Sequence, residues 1–542
     1  MLRISSYTFG CKLNQSETES ALGILADSGY EIVPWESGAD LYLINTCTVT
    51  GKGEQKARRL IRQVQLLWPQ SVVLAAGCYA VLEREKLEAL GERVCALSDQ
   101  PAQICRLLAD KPLANSDELL QLLRNGIAEH LAAGGRRLEA GVVRPTDFPE
   151  ALLRPTLLHS ATQRQDRPAR PAEPGPGLDS GPRPGLKLGP PVTTKQAGQP
   201  GFPVSPPTPL SVSRGKTRRR YFFKIQDGCN RTCSFCRIRI ARGPSRSLSL
   251  PLLVQQLQDL EARGYAEAVI TGVHINSYHY RDETAKRDYY LGGLLCELIA
   301  HTEHIRLRLS SLEPEAPESE HGGQLIRALA SQRICPHFHI SVQSGSEHVL
   351  RQMRRGYTAA RQRLYIEHLK ALRPNAFLSC DVIVGFPGER EEDFEATCQL
   401  LKEKEFAAIH AFSYSPRPGT DAFTMPKVRD SIVKQRMQHI QLLATTLQHS
   451  YLQNCLGREV KVLLEERKDG YWLGYSENYV RTRISDANSV RQGGEMVSVR
   501  LQSCSDSQED NPEDNQGQES DFAQQDTMLE GIPLVPTVPV QV

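Results

Sequence analysis

Between residues 161 and 210, 13 positions are Pro and 7 are Gly. Proline locks φ and lacks an N–H, and glycine has no side chain to bury. A stretch of this composition cannot offset its ordering entropy by burial, so it reads as an extended or disordered linker. Folding must therefore happen on either side of it. It leads into a basic run, Arg214-Gly-Lys-Thr-Arg-Arg-Arg220. Such a run is either a solvated charge cluster or a phosphate contact.

Residues 1–105 alternate strand and helix patterns. Runs of β type fall at 2–9, 40–45 and 71–76, with helical patterns at 15–28 and 54–67 between them. That order predicts a parallel α/β sheet with right-handed crossovers. Residues 106–220 form an insertion and linker, expected to be largely disordered, with an amphipathic helix at 117–133. From 221 to 451 the α/β pattern returns. Six strand patterns at 221–225, 268–271, 306–310, 337–342, 377–384 and 408–413 fit a partial (β/α)6 barrel. A long helix at 431–451 follows. Short strands at 459–464, 471–475, 479–484 and 496–501 predict a small C-terminal β-barrel over 452–502, with Asp469-Gly470 as a hairpin turn.

Charge is unevenly placed. The chain has 65 Lys+Arg against 63 Asp+Glu, yet no basic residue follows Arg500 and nine acids lie in 503–542. The net +2 is a +11 body and a −9 tail. The tail reads as disordered, and the basic body is compatible with a nucleic-acid partner. The start lacks the apolar core of a signal peptide. No apolar run reaches the ~20 residues of a membrane helix, and Pro533, Pro536 and Pro539 exclude a helix from the apolar 531–542. The expectation is a cytoplasmic protein without a membrane partner. In a reducing compartment, 14 cysteines point to metal ligation or catalysis rather than disulfides.

Two cysteine groups stand out. Cys229-Asn-Arg-Thr-Cys233-Ser-Phe-Cys236 follows the first strand of the second α/β region. Three thiolates on one short loop can hold three irons of a cubane, leaving the fourth iron open to a ligand. Zinc with a fourth ligand elsewhere is the alternative, although zinc sites favour paired Cys elements. Cys11, Cys47 and Cys78 each stand just past a strand, spaced by 36 and 31 residues. One βαβ unit is ~30 residues, so the three thiols should meet along one sheet edge, where ligands bind. Taken singly, each could equally be a small buried hydrophobe.

C-x₃-C-x₂-C with Phe235 before the last Cys resembles the radical S-adenosylmethionine superfamily. With the N-terminal trio, the chain is similar to the methylthiotransferase family. The matching stretches are Thr8-Phe-Gly-Cys-Lys-Leu-Asn-Gln-Ser-Glu-Thr-Glu19, Ile44-Asn-Thr-Cys-Thr-Val-Thr50, Ala76-Gly-Cys-Tyr79 and Asp381-Val-Ile-Val-Gly-Phe-Pro-Gly-Glu389. The opening stretch looks most like the class acting on threonylcarbamoyladenosine at tRNA position 37. The other classes act on isopentenyladenosine tRNA or a ribosomal-protein aspartate, and a non-catalytic iron–sulfur RNA-binding protein is the alternative of a different kind.

The resemblance implies two [4Fe-4S] clusters. Cys229, Cys233 and Cys236 would be the catalytic, S-adenosylmethionine-cleaving set, and Cys11, Cys47 and Cys78 would hold the second cluster. It implies S-adenosyl-L-methionine bound near Phe235, Gln343, Gly385 and Gly388. It also implies an external electron donor, a sulfur source, and a TRAM-like C-terminal barrel that binds RNA. Trp472, Tyr471 and Tyr479 are candidate stacking groups there. The expected product carries a methylthio group at C2 of the modified adenine. That C–H bond is unactivated and poorly served by acid–base catalysis.

Overall fold

Leu41 and Leu43 point to one face of a strand, and Tyr42 and Ile44 to the other, and all four are fully buried. A strand covered on both faces belongs at the centre of a parallel sheet. The computed structural model describes residues 2–97, 108, 113, 115–132, 220–315, 319–485, 491–505 and 528–534. The linker expected at 161–210 lies outside them.

The N-terminal sheet has five parallel strands: β1 (Arg3–Thr8), β2 (Glu31–Ile32), β3 (Leu41–Thr46), β4 (Val72–Gly77) and β5 (Val94–Ala96). They run in the order β2-β1-β3-β4-β5. The helix α1 (Lys12–Asp27) covers one face and α2 (Gly51–Leu67) the other. The edge strands β2 and β5 were not visible in the sequence, because two or three residues show no alternation. The boundary at 105 also falls short. The helix Ser116–Ala132 packs Leu119, Leu123 and Ile127 into the core on the α1 side, so this part of the expected linker belongs to the first domain.

Six strands, Arg220–Lys224, Glu267–Thr271, Arg306–Leu309, His337–Gln343, Phe377–Val384 and Ala408–Ser413, form the predicted partial barrel. The first three pair in parallel, as do the last three. A parallel bridge from Leu307 to Ile334 joins the two sets. Among the described strands, the first and last do not pair, so the barrel is open on that side. The N-terminal domain reaches both edges of the opening. Ser16 Oγ on α1 donates to the Phe222 carbonyl at 3.0 Å, and Arg417, beyond the last strand, donates to Thr48 Oγ1 at 3.1 Å and pairs with Glu54.

The C-terminal barrel is closed, and Asp469 and Gly470 both take positive φ (51° and 79°) in its hairpin turn. Its fifth strand corrects the expected tail. Met528–Pro533 pairs with Met496–Ser505 on one side and with Arg481–Ser485 on the other. Its apolar signal was hidden by the acidic composition around it. Leu529 is fully buried in the barrel core and Arg483 pairs with Glu530 at 3.3 Å. A chain ending at residue 505 would leave two strand edges open and remove this core leucine. Loss of one such side chain costs about 2–5 kcal/mol. Limited proteolysis should therefore cut the truncated barrel at least tenfold faster than the intact one.

Candidate active site

Each N-terminal thiol is placed by a strand end. Cys11 precedes α1, Cys47 follows β3, and Cys78 opens the short helix after β4. Cys47 lies close enough to Cys11 and Cys78 to feel both. Burial, followed by the nearby Cys11 and Cys78, raises the Cys47 thiol to about 12. Burial also pushes Cys78 up. The glycines are needed for close approach. A Cβ on Gly10 (φ 98°) would lie 2.7 Å from Cys47 Cβ and 2.9 Å from its Sγ. One on Gly77 (φ 86°) would lie 2.4 Å from the Thr46 carbonyl oxygen. Asn14 fastens the edge by donating to the Phe9 and Thr46 carbonyls at 3.0 and 3.1 Å.

The second trio lies on the loop after the first barrel strand. Gly228 (φ 69°) starts it, packed so closely on Pro244 that a Cβ would overlap the Pro244 carbonyl oxygen at 1.9 Å. The Cys229 amide donates to the Gly243 carbonyl at 3.0 Å, and the Arg231 amide donates to Cys229 Sγ at 3.4 Å. Burial raises Cys229, and raises Cys236 to about 12 with help from the neighbouring thiols. Thiols so placed are protonated when alone, and a cationic centre is what would hold them as thiolates. Among the described residues, no three Cys, His, Asp or Glu side chains are drawn in to the distances of a single metal ion. Three buried thiols to a set suit a group that spreads its thiolates over separate irons.

Arg355 was not singled out in the sequence, whereas Glu313, just past the third barrel strand, was open to either a cofactor contact or solvent. Arg355 donates to Cys233 Sγ at 3.3 Å and pairs with Glu313. Glu313 also accepts from Arg231 and from His274 Nε2, the latter at 3.0 Å. Burial works to raise Glu313, but the His274 hydrogen bond and the Arg355 charge bring it to about 2. It is therefore a fixed anion that orients Arg355. His274, just past a strand end, belongs to this network.

Arg242 ties Cys78 of the first trio to Asp227, just ahead of the loop that bears the second. Its Nε donates to Cys78 Sγ at 3.1 Å, its Nη1 to Glu17 and Asp227 at 2.7 and 3.1 Å, and its Nη2 to Asn14 and Glu17, each at 2.9 Å. Lys224 completes the cluster, 3.0 Å from Glu17 and 2.9 Å from Asp227. Arg237 adds a second tie, 3.1 Å from Glu83.

The other candidates are scattered around the barrel rim. Phe235 packs edge-on against Phe386 with ring centroids 6.3 Å apart, in a small core with Val349, Met353 and Ala422. Gln343 takes a positive φ of 62° where the strand register shifts. A non-glycine residue there is strained, a pattern common at functional sites. Gly385 (φ 75°) abuts Val433 and lines a cavity of about 470 Å³ with Lys52, Ser413 and Tyr414. Gly388 (φ 83°) faces open space. Trp472 is corrected: it is buried in the C-terminal barrel core and presents no ring for stacking.

Comparison with known proteins agrees with this layout. Residues 3–97 match the model of the uncharacterized protein family UPF0004, and 223–401 match the radical SAM superfamily. The chain is 36% identical over 514 residues to the threonylcarbamoyladenosine tRNA methylthiotransferase MtaB of Treponema pallidum, covering 92% of this chain and 98% of that protein. It is 30% identical to the enzyme of the same name from Thermotoga maritima, over 92% and 94% of the two chains. Identity to the tRNA-2-methylthio-N(6)-dimethylallyladenosine synthase of Cereibacter sphaeroides is 27%, over 91% and 94%.

Proposed function

Because this chain belongs to the threonylcarbamoyladenosine tRNA methylthiotransferase family, we propose that its two thiol trios hold two [4Fe-4S] clusters with different tasks. The protein is a radical S-adenosylmethionine enzyme that inserts a methylthio group at C2 of N6-threonylcarbamoyladenosine in tRNA. The single observation that carries the two-cluster reading is the convergence of Cys11, Cys47 and Cys78 on one sheet edge, tied through Arg242 to the loop that bears the other trio.

Cys229, Cys233 and Cys236 hold the cluster that binds S-adenosylmethionine, and Cys11, Cys47 and Cys78 hold the cluster that carries the sulfur. When bound, the first cluster and its cofactor supply radical chemistry at an unactivated C–H bond. The chain's own residues then have separable duties. Phe235, Gln343, Gly385 and Gly388 shape the cofactor's seat at the barrel rim. Arg355 hydrogen-bonds the Cys233 sulfur, and Glu313 holds Arg355 in place. Outer partners of this kind tune and orient metal ligands. Glu17, Asp227 and Arg242 keep the N-terminal domain at the open side of the barrel.

The substrate is tRNA, held in part by the TRAM-like barrel, and the work is done in the cytoplasm. Among the described residues, no helix is long and apolar enough to cross a membrane. An external reductant supplies electrons and an external source replaces the sulfur.

Anaerobic reconstitution tests the two-cluster reading. The full chain should hold about eight irons, four per cluster. Gly10→Ala should lower this to about four, because its Cβ would sit 2.7 Å from Cys47 Cβ at a φ that disfavours side chains. A Gly10→Ala chain that keeps its full iron content and still forms the methylthio product would contradict the assignment of the N-terminal trio.

A further inference from the structure

A cavity of about 320 Å³ lies where α1, the first strands of the partial barrel and the C-terminal barrel meet. This is at the small end of ligand pockets, ~300–1,000 Å³. It suits a short substituent better than a whole nucleotide. Its lining includes the cations Lys12, Arg220, Arg308 and Arg481 against the carboxylates Glu465 and Glu466.

Tyr479 is the hub of the cavity. Lys12 Nζ, Arg220 and Arg308 lie 5.9, 5.9 and 4.9 Å from its ring centroid. Tyr475 stacks on it at 4.8 Å with rings 21° apart. Its backbone is held at a φ of 64°, a conformation that a bulky residue keeps only when its surroundings enforce it.

Two of the cations are already answered. Arg220 pairs with Glu465 at 3.0 Å, and Arg308 with Glu267 at 2.7 Å. Lys12 differs: among the described residues, its ammonium has no carboxylate within ion-pair distance and no hydrogen-bond acceptor. A cavity with surplus positive charge and one unanswered ammonium calls for an anion. Lys12 directly follows Cys11, with Cα atoms ~3.8 Å apart. The residue that would hold the anion and one N-terminal thiol are therefore borne by the same end of α1.

Resting on the function proposed above, we infer that this cavity receives the carboxylate of the threonylcarbamoyl group, with Lys12 as its main counter-ion and Tyr479 and Tyr475 as the wall. The group ends in a free carboxylate a few bonds from N6 of the adenine. It is a short anionic arm of the kind the cavity can enclose. A backbone phosphodiester is the other anion of tRNA that could meet Lys12, and it would be met equally in modified and plain tRNA. An isopentenyl group in place of the arm would leave Lys12 unpaired, and rejection of a ligand lacking the matching polar group is a strong source of specificity.

The test measures binding of two tRNAs to the reconstituted full chain, one carrying the threonylcarbamoyl group at adenosine 37 and one with plain adenosine. The unaltered chain should prefer the modified tRNA by about tenfold or more, in keeping with the worth of a buried charge pair. Lys12→Met should remove that preference while the plain tRNA binds within about twofold of the unaltered chain. Lys12→Arg should keep most of it. Iron content and unfolding temperature control for misfolding.

A second readout needs no variant. The free threonylcarbamoyl nucleoside should compete for the modified tRNA about tenfold better than its methyl ester. Equal weakening of both tRNAs by Lys12→Met would mean a backbone phosphate contact and would overturn the proposal. So would equal competition by acid and ester. Loss of the preference argument leaves methylthiolation itself intact. Conversely, a chain that prefers the modified tRNA yet never forms the methylthio product would overturn the function and not the pocket.

Discussion

A Cys233→Ala chain is expected to lose reductive cleavage of S-adenosylmethionine altogether, while the iron held by the N-terminal trio remains. The reason is local. The three thiols of this loop lie within eight residues, and removing the middle one leaves two ligands on a loop that cannot supply another. Among the described residues, Cys233 Sγ also receives a hydrogen bond from Arg355 at 3.3 Å, so a charged donor would be left facing an empty position. The contrast with Arg355→Met is informative. That variant keeps all three ligands and loses only an outer partner, so activity should fall by about 10–100-fold. Measuring cleaved cofactor by chromatography separates the two. Retained cleavage in Cys233→Ala would refute the assignment of this loop.

Arg242→Met is the second large effect. Arg242, Glu17 and Asp227 are 8%, 5% and 2% exposed, so their charges are largely out of water. Removing the guanidinium takes a cation from two buried carboxylates that also share Lys224, and breaking such a cluster typically costs about 3–5 kcal/mol. The same variant strips Cys78 of its donor. Thermal unfolding of the reconstituted protein should show a marked drop in Tm. Cofactor turnover in the presence of tRNA should uncouple from product formation, because the N-terminal domain loses its hold on the barrel. Arg242→Lys should not rescue it. One ammonium cannot reach Cys78, Asn14, Glu17 and Asp227 together, whereas the planar guanidinium donates in several directions at once. An Arg242→Met protein with unchanged Tm and unchanged coupling would show that the network has no such role.

The placement of the six cysteines was legible because it is set by local rules. Three sit in one short loop, and three follow strands of a parallel sheet whose ends share an edge. Strand alternation likewise marked the six barrel strands to within a residue or two. What was not legible depends on distant partners. Glu17 meets Arg242 across 225 residues and the whole linker, and nothing in either local sequence signals the pairing. Lys12 was hidden for the same reason, since its neighbours come from three separate stretches. Trp472 was misread because an alternating strand in a small barrel does not reveal which face is inside until the closure is known. The fifth barrel strand was missed because composition was averaged over a tail in which only a few residues fold.

This chain adds a methylthio group to threonylcarbamoyladenosine in tRNA. The most direct measurement is mass spectrometry of nucleosides from tRNA of cells lacking the protein, compared with the same cells given it back. The account predicts that 2-methylthio-threonylcarbamoyladenosine vanishes, that threonylcarbamoyladenosine accumulates in its place, and that the intact chain, but not Cys233→Ala, restores the product. Persistence of the methylthio nucleoside in the deleted cells, or loss of the isopentenyl derivative instead, would contradict it.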